Sequence, residues 1–223
     1  YIYSLSSHIL RWGSAFLFLI SGVAAYLLGL ELFPNKRWFA LALTLLYFSI
    51  PNAIWRSIFV SNDNLVSYLG AWCTYFIALV ISRRGKSALV ALLASTLLAA
   101  LAFLTKYNAA PLLLTTAIAI FLNVSWSLLS KIGLAILSSC SMLALIAPVL
   151  YRNYIVDGDI LSTSVIIHVA PFLYKPISLW ALITDRYFFL ALLERIWVEF
   201  HAILKASPYF PRSFLLVWVA ILL

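Results

Sequence analysis

The side chains best suited to chemistry are few and widely spaced. Asp63 stands in Ser61-Asn62-Asp63-Asn64 and Lys106 in Thr105-Lys106-Tyr107-Asn108, while Arg152 adjoins Asn153, and Asp157 and Asp159 flank Gly158. A carboxylate such as Asp63 can accept hydrogen bonds from a hydroxyl-bearing substrate or orient a base; at a helix start it can equally cap the first turn and oppose the positive dipole end. Lys106 offers a compact ammonium for a phosphate, or a side chain that snorkels to the membrane surface. The guanidinium of Arg152 can grip a phosphate bidentately or anchor a span at the interface. Asp157 and Asp159, one residue apart, can contribute to a metal site, but Asp and Gly also make tight turns for backbone reasons alone, and no third ligand is near in sequence. His8, His168 and His201 are scattered, and no Ser-His-Asp order, HExxH, GxSxG or phosphate-loop pattern is present. Cys73 and Cys140 have no CxxC spacing and no nearby His, so both read as small buried hydrophobes, with neither a disulfide framework nor a zinc site. The sequence names no cofactor and no catalytic residue outright.

The chain that must position these residues is 223 residues long, 65% hydrophobic and 10% charged, against roughly 25% charged in soluble proteins. That excludes a water-soluble fold. Fifteen Lys and Arg against seven acids leave a net charge of +8, but the basic residues sit between apolar runs and form no stripe, so nucleic acid is not an expected partner. The chain begins at Tyr1, has Met142 as its one methionine and ends inside the apolar run 214–223. The expectation is an internal stretch of a larger membrane protein, with no signal peptide at its start.

A hydrocarbon core about 30 Å thick takes about 20 helical residues. Cutting the chain at charges, prolines and polar clusters predicts an all-α polytopic transmembrane bundle of six to seven spans, at about 12–33, 38–54, 63–82, 87–104, 108–123, 128–150 and a last one at 214–223. Residues 87–123 contain one charge, Lys106, yet as a single helix they would reach about 55 Å at about 1.5 Å per residue. The run therefore breaks at Thr105-Lys106-Tyr107-Asn108 into a hairpin, with Pro111 in the first turn of its second arm. Gly22, Ala25 and Gly29 recur on one face of the first span, a seam that permits close helix packing.

Alternation of these spans puts Lys36, Arg37, Arg83, Arg84, Lys86 and Lys131 on one side, which the positive-inside rule makes cytoplasmic. Asn62-Asp63-Asn64, Lys106 and the start of the outer segment 151–212 then face the other side. Within that segment Leu193, Ile196, Trp197, Phe200, Ile203 and Leu204 share one arc of a helical wheel. An amphipathic helix lying in the interface over 190–205 is expected, among aromatic residues including Tyr174, Trp180, Tyr187 and Tyr209.

Several strings in order carry a family resemblance. His8-Ile-Leu-Arg-Trp-Gly-Ser-Ala-Phe through Ala25-Tyr-Leu-Leu-Gly-Leu-Glu-Leu-Phe-Pro34 resembles a span of polytopic glycosyltransferases of the GT-C class, in particular the protein mannosyltransferase and aminoarabinose transferase relatives. Pro51 closing the next span, Asp63 in Ser-Asn-Asp-Asn, Leu104-Thr105-Lys106 at a hairpin tip, and Pro148-Val-Leu-Tyr-Arg-Asn-Tyr followed by Gly158-Asp-Ile-Leu continue the match along the chain. The resemblance implies a mannosyltransferase-like enzyme that moves a sugar from a polyprenyl-phosphate donor to a lipid, glycan or protein acceptor at the outer leaflet, with inversion. It implies substrate-binding roles for Asp63, Lys106, Arg152, Asn153 and Asp159, with Lys106 and Arg152 on the carrier phosphate. It also implies an integral protein of a membrane such as the bacterial inner (plasma) membrane, its active face outward, and a catalytic carboxylate in a loop before Tyr1. The competing readings are a non-enzymatic transporter or binding protein for lipid-linked sugars, and a structural subunit. Transporters place polar groups near the bilayer midplane on repeated, broken helices, whereas here the polar candidates fall at span ends and no internal repeat is found.

Overall fold

The computed structural model describes residues 2–50, 54, 57 and 61–161. The interfacial helix expected over 190–205, the last span at 214–223 and most of the outer segment 151–212 lie outside these residues. The described chain is all-helical. In order come α1 (Ile2–Leu32), α2 (Arg37–Ser49), α3 (Asn62–Ser82), α4 (Gly85–Thr105), a short 3-10 turn (Tyr107–Ala109), α5 (Ala110–Leu122) and α6 (Leu128–Asp157). Four are long and apolar enough to cross a membrane: α1 over His8–Leu32, α3, α4 and α6. The chain is therefore an integral membrane protein.

Local chemistry sets most helix ends. Ile50, the C-cap of α2, has ψ 110°, the extended conformation that a residue before proline is pushed into, here by Pro51. Lys106 breaks the apolar run 87–123 with an extended backbone (φ −160°, ψ 127°), and Pro111 follows in the first turn of α5, where its missing N–H costs nothing. Gly158 ends α6 in the left-handed region at φ 69°, its N–H bonded to the Tyr154 carbonyl (3.1 Å).

Two lengths depart from the sequence expectation. α2 and α5 have 13 residues each, about 20 Å of helix, which is short of a crossing. α6 has 30 residues, about 45 Å, and runs through Pro148 and past the expected stop at 150. Pro148 removes only the bond to the carbonyl four residues earlier, a loss that a long helix packed along its flank tolerates. Arg152 and Asn153 thus lie on a helix, not at the start of an irregular segment.

α4 is the hub, packed against α3, α5 and α6, while α1 packs on α3 and α2 on α1. Its buried face is almost all small: Ala88, Ala91, Ser95, Thr96, Ala99, Ala100 and Ala102. With no hydrophobic drive between helices in lipid, close backbone approach and interhelical hydrogen bonds hold such a bundle. Thr96 and Ser138 share a hydrogen bond of 2.8 Å, and the Cys73 thiol reaches the Ser95 carbonyl at 3.5 Å. Cys73 is fully buried as expected; Cys140 is exposed on the outer flank of α6, because that helix offers only one side to the bundle. The small-residue seam of α1 meets α2: a Cβ on Gly29 would lie 2.5 Å from the Ala40 Cα, and one on Gly22 would overlap the Phe48 ring.

Replacing Gly29 by Ala should lower stability by about 1–3 kcal/mol, the usual cost of forcing an extra group into a close contact. Gly133→Ala, where nothing lies within 4 Å of the added carbon, should change it by less than about 0.5 kcal/mol. Thermal unfolding of both variants in one detergent makes the comparison, and equal melting would show that α1 and α2 do not pack through Gly29.

Candidate functional site

Polar contacts between helices collect at two levels. At one end the Glu31 carboxylate accepts from the Arg83 guanidinium (3.1 Å to Nε, 2.6 Å to Nη2) and from the Ser82 hydroxyl (2.5 Å). Glu31 thereby pushes the Arg83 guanidinium above its ordinary pKa, chiefly by hydrogen bonding. At the same end the Asn123 amide donates to the carbonyls of Val80 (2.5 Å) and Arg83 (2.9 Å). Twenty residues of α3 separate Arg83 from Asp63, about 30 Å of helix, which matches the thickness of the hydrocarbon core.

The other end is the candidate site. Asp63 lies in the first turn of α3 and Lys106 at the C-cap of α4, and the Lys106 ammonium donates to the Asp63 carboxylate. Both side chains stay open, at 39% exposed for Lys106 and 27% for Asp63, so the pair can be reached by a ligand. Beside it, the Asn64 amide donates to the Ser14 hydroxyl of α1, both residues being buried. One step further along the chain from Lys106, the Tyr107 hydroxyl accepts from the Asn153 amide at 2.8 Å. That amide also donates to the Ile160 carbonyl (3.3 Å), and Asn153 is 5% exposed. Three links thus join α1, α3, the hairpin tip and α6 at one level.

The five predicted residues take different places in this arrangement. Asp63 and Lys106 meet directly. Asn153 is buried and ties α6 to the hairpin tip, with its amide committed to protein groups. Arg152, the next residue on the helix, is exposed on α6, roughly a 100° turn away from Asn153. Asp159 accepts the backbone N–H of Leu161 (3.2 Å) in the turn after Gly158, so the Asp-Gly-Asp string is a helix stop followed by a side-chain turn. Among the described residues no three His, Cys, Asp or Glu side chains gather as a metal site would require.

Ser14, Asn64 and Tyr107 complete the site, and the sequence barely marks them. A serine between Gly13 and Ala15 in an apolar run is indistinguishable from one bonded to its own helix, as Ser21 is to the Leu17 carbonyl (2.8 Å). The one available signal is adjacency: Asn64, Tyr107 and Asn153 each directly follow a charged candidate.

These helices and links define a polytopic integral membrane protein whose accessible Asp63–Lys106 pair lies at the ends of membrane-spanning helices. Residues 1–151 match the family model of dolichyl-phosphate-mannose-protein mannosyltransferases, and the chain belongs to that family. It is, accordingly, a membrane glycosyltransferase of the GT-C type. No curated protein and no solved structure matches the chain.

Because Asp63 and Lys106 are each about a third exposed, water screens their attraction, and a double-mutant cycle with Asp63→Asn and Lys106→Gln should give a coupling of about 0.5–1 kcal/mol in unfolding. Asn153→Ala, which strips the buried partner from Tyr107, should cost more, about 1–3 kcal/mol. A coupling above about 2 kcal/mol would instead make the ion pair a structural element.

Proposed function

We propose that the protein takes a sugar from a polyprenyl-phosphate carrier at the outer leaflet and passes it to a lipid, glycan or protein acceptor. The observation that carries the reading is the accessible Asp63–Lys106 pair, set about one bilayer thickness from the basic end. A phosphate borne on a lipid presents itself at that depth.

In this reaction an acceptor hydroxyl oxygen attacks the anomeric carbon, the bond from that carbon to the phosphate oxygen breaks, and the carrier phosphate leaves with the electron pair. Attack opposite the leaving group inverts the configuration. Negative charge grows on the departing phosphate, and fixed cations in a water-poor cleft stabilise it far better than bulk water would. Lys106, held by Asp63, supplies one such cation and Arg152, exposed on α6, a second that closes on the carrier phosphate when it binds. Asp63 holds the Lys106 ammonium in place and offers its remaining acceptor capacity to a sugar hydroxyl. Asn153 and Asp159 act one layer back, bracing the helix end that presents Arg152. The acceptor hydroxyl gives its proton to a carboxylate base as it attacks. The positive-inside rule supports the outward orientation, because the basic turns crowd the opposite end.

Lys106→Ala and Arg152→Ala should each reduce transfer from a labelled polyprenyl-phosphate sugar in membranes by roughly 10²–10³-fold, the loss typical of removing one transition-state donor. Lys106→Arg should retain part of the rate. Unchanged transfer at normal expression would remove both residues from the phosphate site. For orientation, Ser87→Cys and Ile160→Cys in a chain lacking Cys73 and Cys140 are the probes, chosen because Gly85 and Gly158 have positive φ. An impermeant thiol reagent should label only position 160 in intact cells, and labelling at 87 alone would invert the topology.

A further inference from the structure

The end of the bundle opposite the transfer site carries the densest charge among the described residues. Lys36, Arg37, Arg83, Arg84, Lys86 and Lys131 are gathered there by three turns, and Glu31 is the only carboxylate among the described residues at that end. Glu31 is taken up by Arg83 and Ser82. Lys131 is held on the Phe121 carbonyl at 2.7 Å. Lys36, Arg37, Arg84 and Lys86 remain exposed, with the Lys36 ammonium 5.4 Å from the Phe39 ring centroid. The turn carrying Arg83 to Lys86 is fixed by the two amide bonds from Asn123. This is a pre-positioned cationic rim at the depth of phospholipid headgroups, where such residues attract anionic lipids.

A second feature lies beneath it. Between α1, α2 and α3 runs a cavity of about 270 Å³, lined by Ala25, Leu28, Leu43, Leu46, Tyr47 and Ala71 among others. Leu28 is three residues from Glu31 and Leu43 six from Arg37, so the cavity wall begins about 5–10 Å below the rim, and Ile50 and Ala71 carry it deeper. Thr74, also in its wall, already bonds the Gly70 carbonyl (2.8 Å), which leaves a lining suited to hydrocarbon. A charged rim alone would suit any polyanion; a charged rim over an apolar slot at membrane depth selects a molecule with a negative head and an aliphatic tail.

We infer that this end is a docking site for an anionic phospholipid, its headgroup on Lys36, Arg37, Arg84 and Lys86 and one acyl chain in the cavity between α1, α2 and α3. The site is about 30 Å from Asp63 and Lys106 along α3, and it does not depend on the transferase reading.

Thermal unfolding of the full chain in a neutral detergent tests it, with phosphatidylglycerol, phosphatidylcholine of the same acyl chains, glycerol phosphate and polyglutamate as additives. Phosphatidylglycerol should raise the midpoint by about 4 °C or more, the effect of a ligand well above its Kd, and the other three should not. The variant K36Q/R37Q/R84Q/K86Q should lose the shift, and Ala71→Leu, which fills the cavity but keeps the rim, should cut it by at least about half. An equal shift with phosphatidylcholine, or a full shift in the quadruple variant, overturns the proposal. A full shift from glycerol phosphate or polyglutamate overturns it in favour of a soluble anion or an acidic protein. Should the quadruple variant fail to fold, salt decides on the unmodified chain: the phosphatidylglycerol shift should fall steeply towards about 0.5 M salt, where the Debye length is only a few ångströms, and a salt-independent shift rejects the rim.

Discussion

Hydrocarbon about 30 Å thick tolerates neither free charge nor an unpaired backbone, and the arrangement of this protein follows from that constraint. Among the described residues the two interhelical ion pairs, Glu31–Arg83 and Asp63–Lys106, sit one such thickness apart along α3. Between them, polar side chains are satisfied within the bundle: Ser21 and Thr44 on their own helices, Cys73 on the Ser95 carbonyl, Thr96 on Ser138. The Trp72 indole N–H is the buried exception among the described residues. Small residues on α4 then let four helices close around that interior.

The two ends use charge differently. Glu31 is 12% exposed and bonded on both oxygens, so its pair with Arg83 acts as a structural clasp, helped by Asn123 fixing the following turn. Asp63 is more open than Glu31, at 27% against 12% exposed, and its pair with Lys106 has neighbours, Asn64 and Tyr107, that are themselves braced by Ser14 and Asn153. The backbone around the open pair is therefore held by contacts that do not involve the pair. That separation of duties is what a site needs if a ligand is to compete for its charges without loosening the fold.

Helix length carries a further consequence. α1 reaches Ser14 at the level of Asn64, so its residues 2–13 continue about 18 Å beyond that level. α6 likewise runs past Asn153 to Asp157. The polar end is thus flanked by helix that outlasts the hydrocarbon, while α2 and α5 are too short to cross it. Composition alone treats all six apolar stretches as equivalent spans, because hydropathy measures how apolar a run is and not where its backbone turns.

What the sequence determined by itself is whatever depends on near neighbours. Membrane class, the break at Lys106, the stop before Pro51, the Gly158 terminus and the sorting of basic residues into a few turns all follow from local rules of hydropathy, proline, glycine and charge. The resemblance to the mannosyltransferases was also legible, since it rests on strings along the chain. Tertiary structure alone decided the pairings: Asp63 with Lys106 across 43 positions, Tyr107 with Asn153 across 46, Asn64 with Ser14 across 50 and Glu31 with Arg83 across 52. In a lipid-facing bundle every helix is apolar all round, so periodicity does not say which face turns inward. Only the fit of small residues between backbones sets that rotation, and with it which charges meet.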